Sequence, residues 1–424
     1  MTDSVETLQA ATVRRGKLFY GWWVVLTAGL GLGLGYAPIV VYSFGVFLKP
    51  LVREFHSSRA SISLAFTLAN LANAISSPLA GQSADRFGPK RVILLASSVF
   101  GIVLISSLLA SPVLWKLYVF YVVLGIAGSG PAPVPYSKVI SNWFDKRRGL
   151  ALGLTMFGLG SGAIVIPLLA QRVIATLGWR GAYAIIGLLV VVVSVPVVGL
   201  FLKETPEKMG WLPDGVITAR SSITNGPRLE GVVWHDAWHE QAFWLMIGAF
   251  FLVGASVHGC VVHLAPMLTD RGITSERAAL ASSLLGGALL IGRVGSGYLL
   301  DRFFAPRVAM VFFGGAALGI LLLWSGVPGY LAYAAAFLVG LGMGAEVDII
   351  AYLTSRYFGL RAFGEIYGYA FASYALAGAL GPWLMGLGFD RTGSYRTILG
   401  GFLAATTVAA VIMLRLGPYR YRAR

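Results

Sequence analysis

Thiols, imidazoles and acids are all scarce in this chain. Cys260 is the single cysteine in 424 residues, which excludes an intramolecular disulfide framework. The five histidines and that one thiol show no spacing that resembles a metal site, so no metal or other cofactor is expected. Charged residues make up only 12% of the chain, against roughly a quarter in soluble domains, and a water-soluble globular class is excluded. Acids are outnumbered 18 to 33 by Lys and Arg, for a formal net charge of +15. The basic residues form no tract, however. They are dispersed at the ends of apolar runs, so nucleic acid is not an expected partner.

What is abundant is apolar surface, at 57% of residues. Stretches long enough to cross a hydrocarbon core of about 30 Å, which takes roughly 20 helical residues, recur along the whole chain. Twelve are read, at approximately 19–47, 60–82, 91–110, 115–141, 149–172, 181–202, 241–266, 277–300, 307–326, 328–355, 362–388 and 395–416. Backbone polar groups cannot stay unpaired in lipid and period-two alternation is absent, so the crossings are helices. About two thirds of the basic residues fall on the side that also holds both termini, which the positive-inside rule makes cytoplasmic. The first apolar run is too long for a signal-peptide core and has no evident cleavage site. The expectation is an all-α, multi-pass integral membrane protein of a bacterial cytoplasmic (inner) membrane, embedded in the lipid bilayer.

The longest polar segment, "KETPEKMGWLPDGVITARSSITNGPRLEGVVWHDAWHEQ", leaves six apolar runs before it and six after. It divides the chain into an N-terminal six-helix bundle (1–202), a cytoplasmic linker (203–240) and a C-terminal six-helix bundle (241–424). Internal duplication supports that division. "GQSADRFGPKRV" (81–92) aligns with "GSGYLLDRFFAPRV" (295–308), pairing Gly81 with Gly297, Asp85 with Asp301, Arg86 with Arg302 and Arg91 with Arg307. A second match at nearly the same offset pairs Gly153 with Gly368 and Pro167 with Pro382. The glycine-rich "GLGLGLGYAP" and "GLTMFGLGSGA" follow no strand and lack the Gly-Lys-Ser/Thr ending of a phosphate loop. Nor does any nucleophile and base stand at a spacing that suggests an enzyme.

On these features the chain resembles the major facilitator superfamily from about Tyr20 to Leu416, a fold of two pseudo-symmetric six-helix bundles. "GQSADRFGPKR" is similar to the superfamily's motif between helices 2 and 3. Asp85 can face a helix N-terminus and the basic residues can meet carboxylates or helix C-termini. Gly81, Asp85, Arg86, Arg91, Asp301 and Arg302 are therefore expected to form a conformational latch. Within the superfamily, "YGWWVVL", "YSFGVFLKPLVREF", "NWFDKRRGLALGLTMFGLGSG" and "EKMGWLPDG" resemble signatures of the monocarboxylate transporter and oxalate/formate antiporter branch. The resemblance implies transport by alternating access, with a site near the midplane between the halves.

Arg293 is the residue that most needs a reason. A guanidinium at a helix centre costs about 2.5 to 3.5 kcal/mol on insertion scales, so such groups usually face a bundle interior or a wet cavity. At eight residues from Asp301 it lies about 12 Å from the cytoplasmic end, too deep to snorkel comfortably. Ser282, Gly286, Leu289 and Gly297 share its face and make it a small-residue stripe. Its counterpart in the repeat is Ser77, so the duplication itself demands no charge. A permanently charged fork suits a carboxylate bidentately, and the family resemblance implies that the helix 8 arginine engages substrate. Glu346 and Asp348 lie at a similar depth and are the expected proton-coupling partners. Two residues apart on a helix, they point about 160 to 200° from each other, so at most one, with Asp348 preferred, is expected to face Arg293.

Further candidates for substrate contact are His258, Tyr121, Tyr374 and Asn73; Tyr121 and Asn73 are as readily explained by bonds between helices. Lys138 is expected to snorkel to the cytoplasmic end of its helix. The chain departs from the better-known monocarboxylate carriers in having Leu289 where they place an aspartate and Tyr42 where a lysine would stand. It also lacks the helix 11 lysine of the oxalate/formate antiporters, and a lone deep cation suggests a monoanion. The combined expectation is a secondary active transporter, functional as a monomer, that moves a small carboxylate such as lactate or pyruvate with a proton. An exchanger for other carboxylates and a drug or metabolite efflux carrier are the alternatives within transport; a membrane receptor or sensor is the alternative outside it.

Overall fold

The computed structural model describes residues 19–215, 230–326 and 330–421. The two chain ends of the expected bundles and the middle of the expected linker, 216–229, lie outside the described residues, as do the basic residues they contain. Eleven helices are long and apolar enough to cross a membrane. They are α1 (Gly21–Tyr42), α2 (Ser61–Phe87), α3 (Pro89–Leu109), α4 (Leu114–Trp143), one long unit Arg148–Phe201, then α7 (Gln241–Asp270), α8 (Glu276–Leu300), α9 (Ala305–Ser325), α10 (Tyr330–Phe358), α11 (Phe363–Thr392) and α12 (Arg396–Leu414). The long unit turns at Gly178, whose φ of 70° and ψ of 179° are non-helical. It therefore supplies two crossings, α5 (148–177) and α6 (179–201), and the described chain crosses twelve times.

Local chemistry sets the ends of these helices. The Ser58 hydroxyl accepts from the Ser61 N–H (3.1 Å) and caps α2, satisfying one of the donors that a helix start leaves open. Between α2 and α3 the chain reverses through the single residue Gly88, at φ 92°, followed by Pro89 at the first position of α3. A side chain at Gly88 would be strained, while proline suits a helix start because its missing N–H has no partner there anyway.

The two sequence halves meet along two helix pairs, α2 with α11 and α5 with α8. Glycines set how closely. A Cβ on Gly81 would lie 1.9 Å from the Gly364 carbonyl oxygen, and one on Gly149 would lie 2.3 Å from that of Gly297. One turn deeper, Gly368 abuts Ser77 and Pro78, and Gly153 abuts the backbone of Arg293. The contacts repeat across the molecule with the register of the internal duplication, each half supplying the glycine for the other's motif helix. They cluster toward the face where the described chain begins, at Phe19 against Trp143 and Phe144, and ends, at Tyr421 against Arg356. Further along α8, away from that face, Gly286 and Gly287 have nothing within 4 Å of an added Cβ. The seam is thus shut at the face bearing the termini and parts beyond it.

Candidate functional site

Arg293 stands at the inner edge of this seam. It is 3% exposed, with its Nε about one carbon contact (3.9 Å) from where a Gly160 side chain would begin on α5. It therefore looks across the interface between the halves, not toward lipid. Glu346 and Asp348 are both fully buried on α10, which packs backbone to backbone on α8 through Gly340 and Gly344, against Leu285 and Leu289. Both carboxylates feel the Arg293 charge. Neither acid forms an ion pair with Arg293 among the described residues, so contacts do not choose between them, and the close approach of α10 to α8 keeps both within electrostatic range. Among the described residues, Arg293 makes no ion pair within 4 Å, its Nε and Nη1 have no hydrogen-bond partner, and all four oxygens of Glu346 and Asp348 are likewise unpartnered.

Aromatic hydroxyls from α11 flank the acids. Tyr374 acts on Glu346 and packs edge-on against His258 of α7, ring centroids 5.3 Å apart. His258 bonds through Nδ1 to the Gly254 carbonyl (2.9 Å). Seven residues earlier on the same face of α11, Tyr367 lies near Asp348, Arg293 and Ser137 of α4, although neither its hydroxyl nor that of Ser137 is in hydrogen-bond geometry. Tyr42 acts on Tyr374. Ser137 and Tyr42 have no site role legible in the sequence, whereas Tyr367 shares with Phe371 and Tyr374 the α11 face that the sequence offers as a cavity lining, as readily explained by bonds between helices.

Tyr121 and Asn73 are not brought to this cluster. The Tyr121 hydroxyl bonds that of Tyr183 on α6 at 2.7 Å, in a separate aromatic core where Tyr183 stacks on Phe47. Asn73 donates from Nδ2 to the Gly125 carbonyl of α4 at 3.1 Å. Each spends its polar group on a bond between helices of one half.

The motif residues divide more sharply. Asp85 accepts from the N–H groups of Gly364 (3.0 Å) and Glu365 (2.9 Å) at the start of α11, and Asp301 accepts from those of Gly149 (2.6 Å) and Leu150 (2.9 Å) at the start of α5. Each aspartate thus occupies the positive end of a helix in the other half. Arg86, Arg91 and Arg302 take no part: Arg86 lies over Phe87 and Arg302 over Tyr298, while Arg91 points to the exposed surface. Other basic groups pair at the seam instead, and Arg356 and Arg148 reach across it. Lys138, expected to snorkel, is buried and paired with Asp85. Arg356 binds the Asp145 carboxylate and carbonyl, both at 2.7 Å, and Arg148 donates to Ser355 at 2.9 Å. The segment after α6 adds Asp214, whose carboxylate accepts from the N–H groups of Asp145 (3.2 Å) and Lys146 (2.8 Å).

Twelve apolar crossings in two sets of six, meeting along a seam that holds an unpaired guanidinium, define a polytopic helical membrane protein of the transporter type. The family model described as Major Facilitator Superfamily matches residues 30–382, and the chain belongs to that superfamily. It is similar to Monocarboxylate transporter 11 of Mus musculus, 27% identical over 88% of this chain and 83% of that protein. To Monocarboxylate transporter 13 of Bos taurus it is 28% identical, over 91% of this chain and 87% of that one. Among solved structures, a bacterial homologue of the iron transporter ferroportin in an outward-facing state superposes with a TM-score of 0.73 at 16% identity, covering 94% of this chain and 99% of that one. The proton:xylose symporter XylE does so at 0.70 and 18%, covering 95% and 97%. At such identities these two speak for the fold alone.

Proposed function

We propose that this protein is a secondary active carrier of a small organic anion, a monocarboxylate of the lactate or pyruvate class, moved together with a proton. The observation that carries the reading is Arg293, 3% exposed and with two of its nitrogens unpartnered at the junction of the two halves. A buried charge without a partner is strongly disfavoured, and an incoming carboxylate supplies what it lacks. The names of the monocarboxylate transporters to which the chain is similar support the same substrate class.

In this reading the bundles 1–202 and 241–424 are the moving bodies and 203–240 is their cytoplasmic linker. With both termini in the cytoplasm of a bacterial inner membrane, the closed seam is the inner gate and the form described is outward-facing. Asp85 and Asp301 hold that gate as a latch, and Glu346 and Asp348 carry the proton. The test is counterflow in proteoliposomes preloaded with unlabelled lactate. Labelled lactate accumulates transiently, pyruvate in the external medium suppresses it, and oxalate does not. Failure of every monocarboxylate in such a panel to exchange refutes the assignment.

A further inference from the structure

The core of the molecule carries an uneven charge count. Other buried ions are paired: Lys138 with Asp85, and Arg148 and Arg356 with Asp145. What remains at the junction is one cation, Arg293, against two carboxylates, Glu346 and Asp348. Both acids are fully buried, both feel the same guanidinium, and neither is in hydrogen-bond contact with any described residue. Among the described residues, Tyr374 and Tyr367 from α11 act on them, with Ser137 of α4 beside Tyr367 and with Tyr42 of α1 and His258 of α7 beside Tyr374. His258 is committed to the Gly254 carbonyl through Nδ1. Arg356, the next charge on α10, is held by Asp145. Among the described residues, Arg293 is the one cation that acts on either acid.

An isolated ionised carboxylate in a low-dielectric interior neutralises by taking a proton instead of remaining charged. Resting on the anion-carrier reading above, we propose that the empty site keeps one proton, carried by either Glu346 or Asp348, and that a monoanion enters with a second proton that neutralises the acid still ionised. The site is then electroneutral in both states: Arg293 balances one ionised acid when empty and the substrate carboxylate when full. One proton is taken up per anion bound, and that proton goes onto whichever acid was ionised. The two acids are redundant for the count, since either one beside Arg293 can lose and regain a proton. A dianion leaves the filled site with an excess negative charge, which sets a preference for monocarboxylates.

The acids differ in what lies beside them. Glu346 communicates through Tyr374, which is 7% exposed, to Tyr42, which is 36% exposed. Asp348 sits beside Tyr367 and Ser137, both fully buried behind the closed seam.

The test is the number of protons taken up per lactate bound by purified full-length protein, from titration calorimetry in buffers of different ionisation enthalpy. The wild type, Glu346→Gln and Asp348→Asn each take up one proton, and each shows a tenfold loss of affinity per pH unit above neutrality. Glu346→Gln/Asp348→Asn takes up none, and its affinity no longer depends on pH. Loss of uptake in one single variant alone shows a dedicated carrier and overturns the proposal. So does persistence of uptake in the double variant, which would move the proton to His258. Thermal melting with and without lactate separates a misfolded variant from an uncoupled one. If the wild type binds no monocarboxylate at all, it is the anion-carrier reading that fails.

Discussion

At the scale of single residues, the site separates groups that have spent their polar atoms from groups that have not. Tyr121 and Asn73 belong to the first kind, Arg293, Glu346 and Asp348 to the second. Tyr121→Phe removes one buried hydroxyl and leaves its partner on Tyr183 unsatisfied, at a cost of about 1 to 3 kcal/mol. Thermal unfolding in detergent should therefore fall by a few degrees while lactate affinity stays within twofold; a large affinity loss with unchanged melting would place Tyr121 at the substrate. Sequence alone could locate Arg293 because its depth follows from counting residues to Asp301. It could not locate the partner of Tyr121, since Tyr183 lies 62 residues away and only packing of α4 on α6 brings them together.

At the scale of helices, the closed seam is made from aspartates at helix N-termini, from the Arg356–Asp145 ion pair that crosses between the halves, and from the Arg148–Ser355 hydrogen bond beside it. The aspartates were legible, because a short acid in a helix-to-helix turn has few other donors to meet and the repeat marks both of them. Lys138, Asp145, Arg148 and Arg356 were not, since their repeat counterparts are Leu353, Leu360, Phe363 and Ser141, and no pattern in one half announces them in the other. Burial pushes the Asp301 carboxyl from an ordinary 3.8 up to about 6, against the opposing pull of the Leu150 and Gly149 N–H groups and of Arg356 and Arg148. A raised value means that the buried form binds its proton more tightly than the solvated one. The closed seam accordingly gains from this group at low pH, fully below about 3.8, and loses that gain as pH rises through about 6. Hydrogen exchange at the Gly149 and Leu150 amides, corrected for intrinsic rates, should slow between pH 7 and 5 in the wild type. In Asp301→Asn it should show no such change; an equal slowing there would assign the effect to another group.

For the whole molecule, the twelve crossings and their division into two sixes follow from hydropathy and from the repeat, because lipid leaves the backbone so few alternatives. Substrate chemistry is legible only as far as one cation can carry it. How α8 and α10 approach through Gly340 and Gly344, and so place two acids around one guanidinium, needed the fold. Everything proposed for transport depends on Arg293 being where the anion docks. The most direct measurement is equilibrium binding of labelled lactate to purified wild type and to Arg293→Lys, with melting curves to confirm that both are folded. Lysine keeps the charge and loses the planar fork, so loss of a charge-assisted bond worth about 1.5 to 3 kcal/mol should weaken binding by roughly 10- to 100-fold. Wild-type affinity in Arg293→Lys would contradict the account.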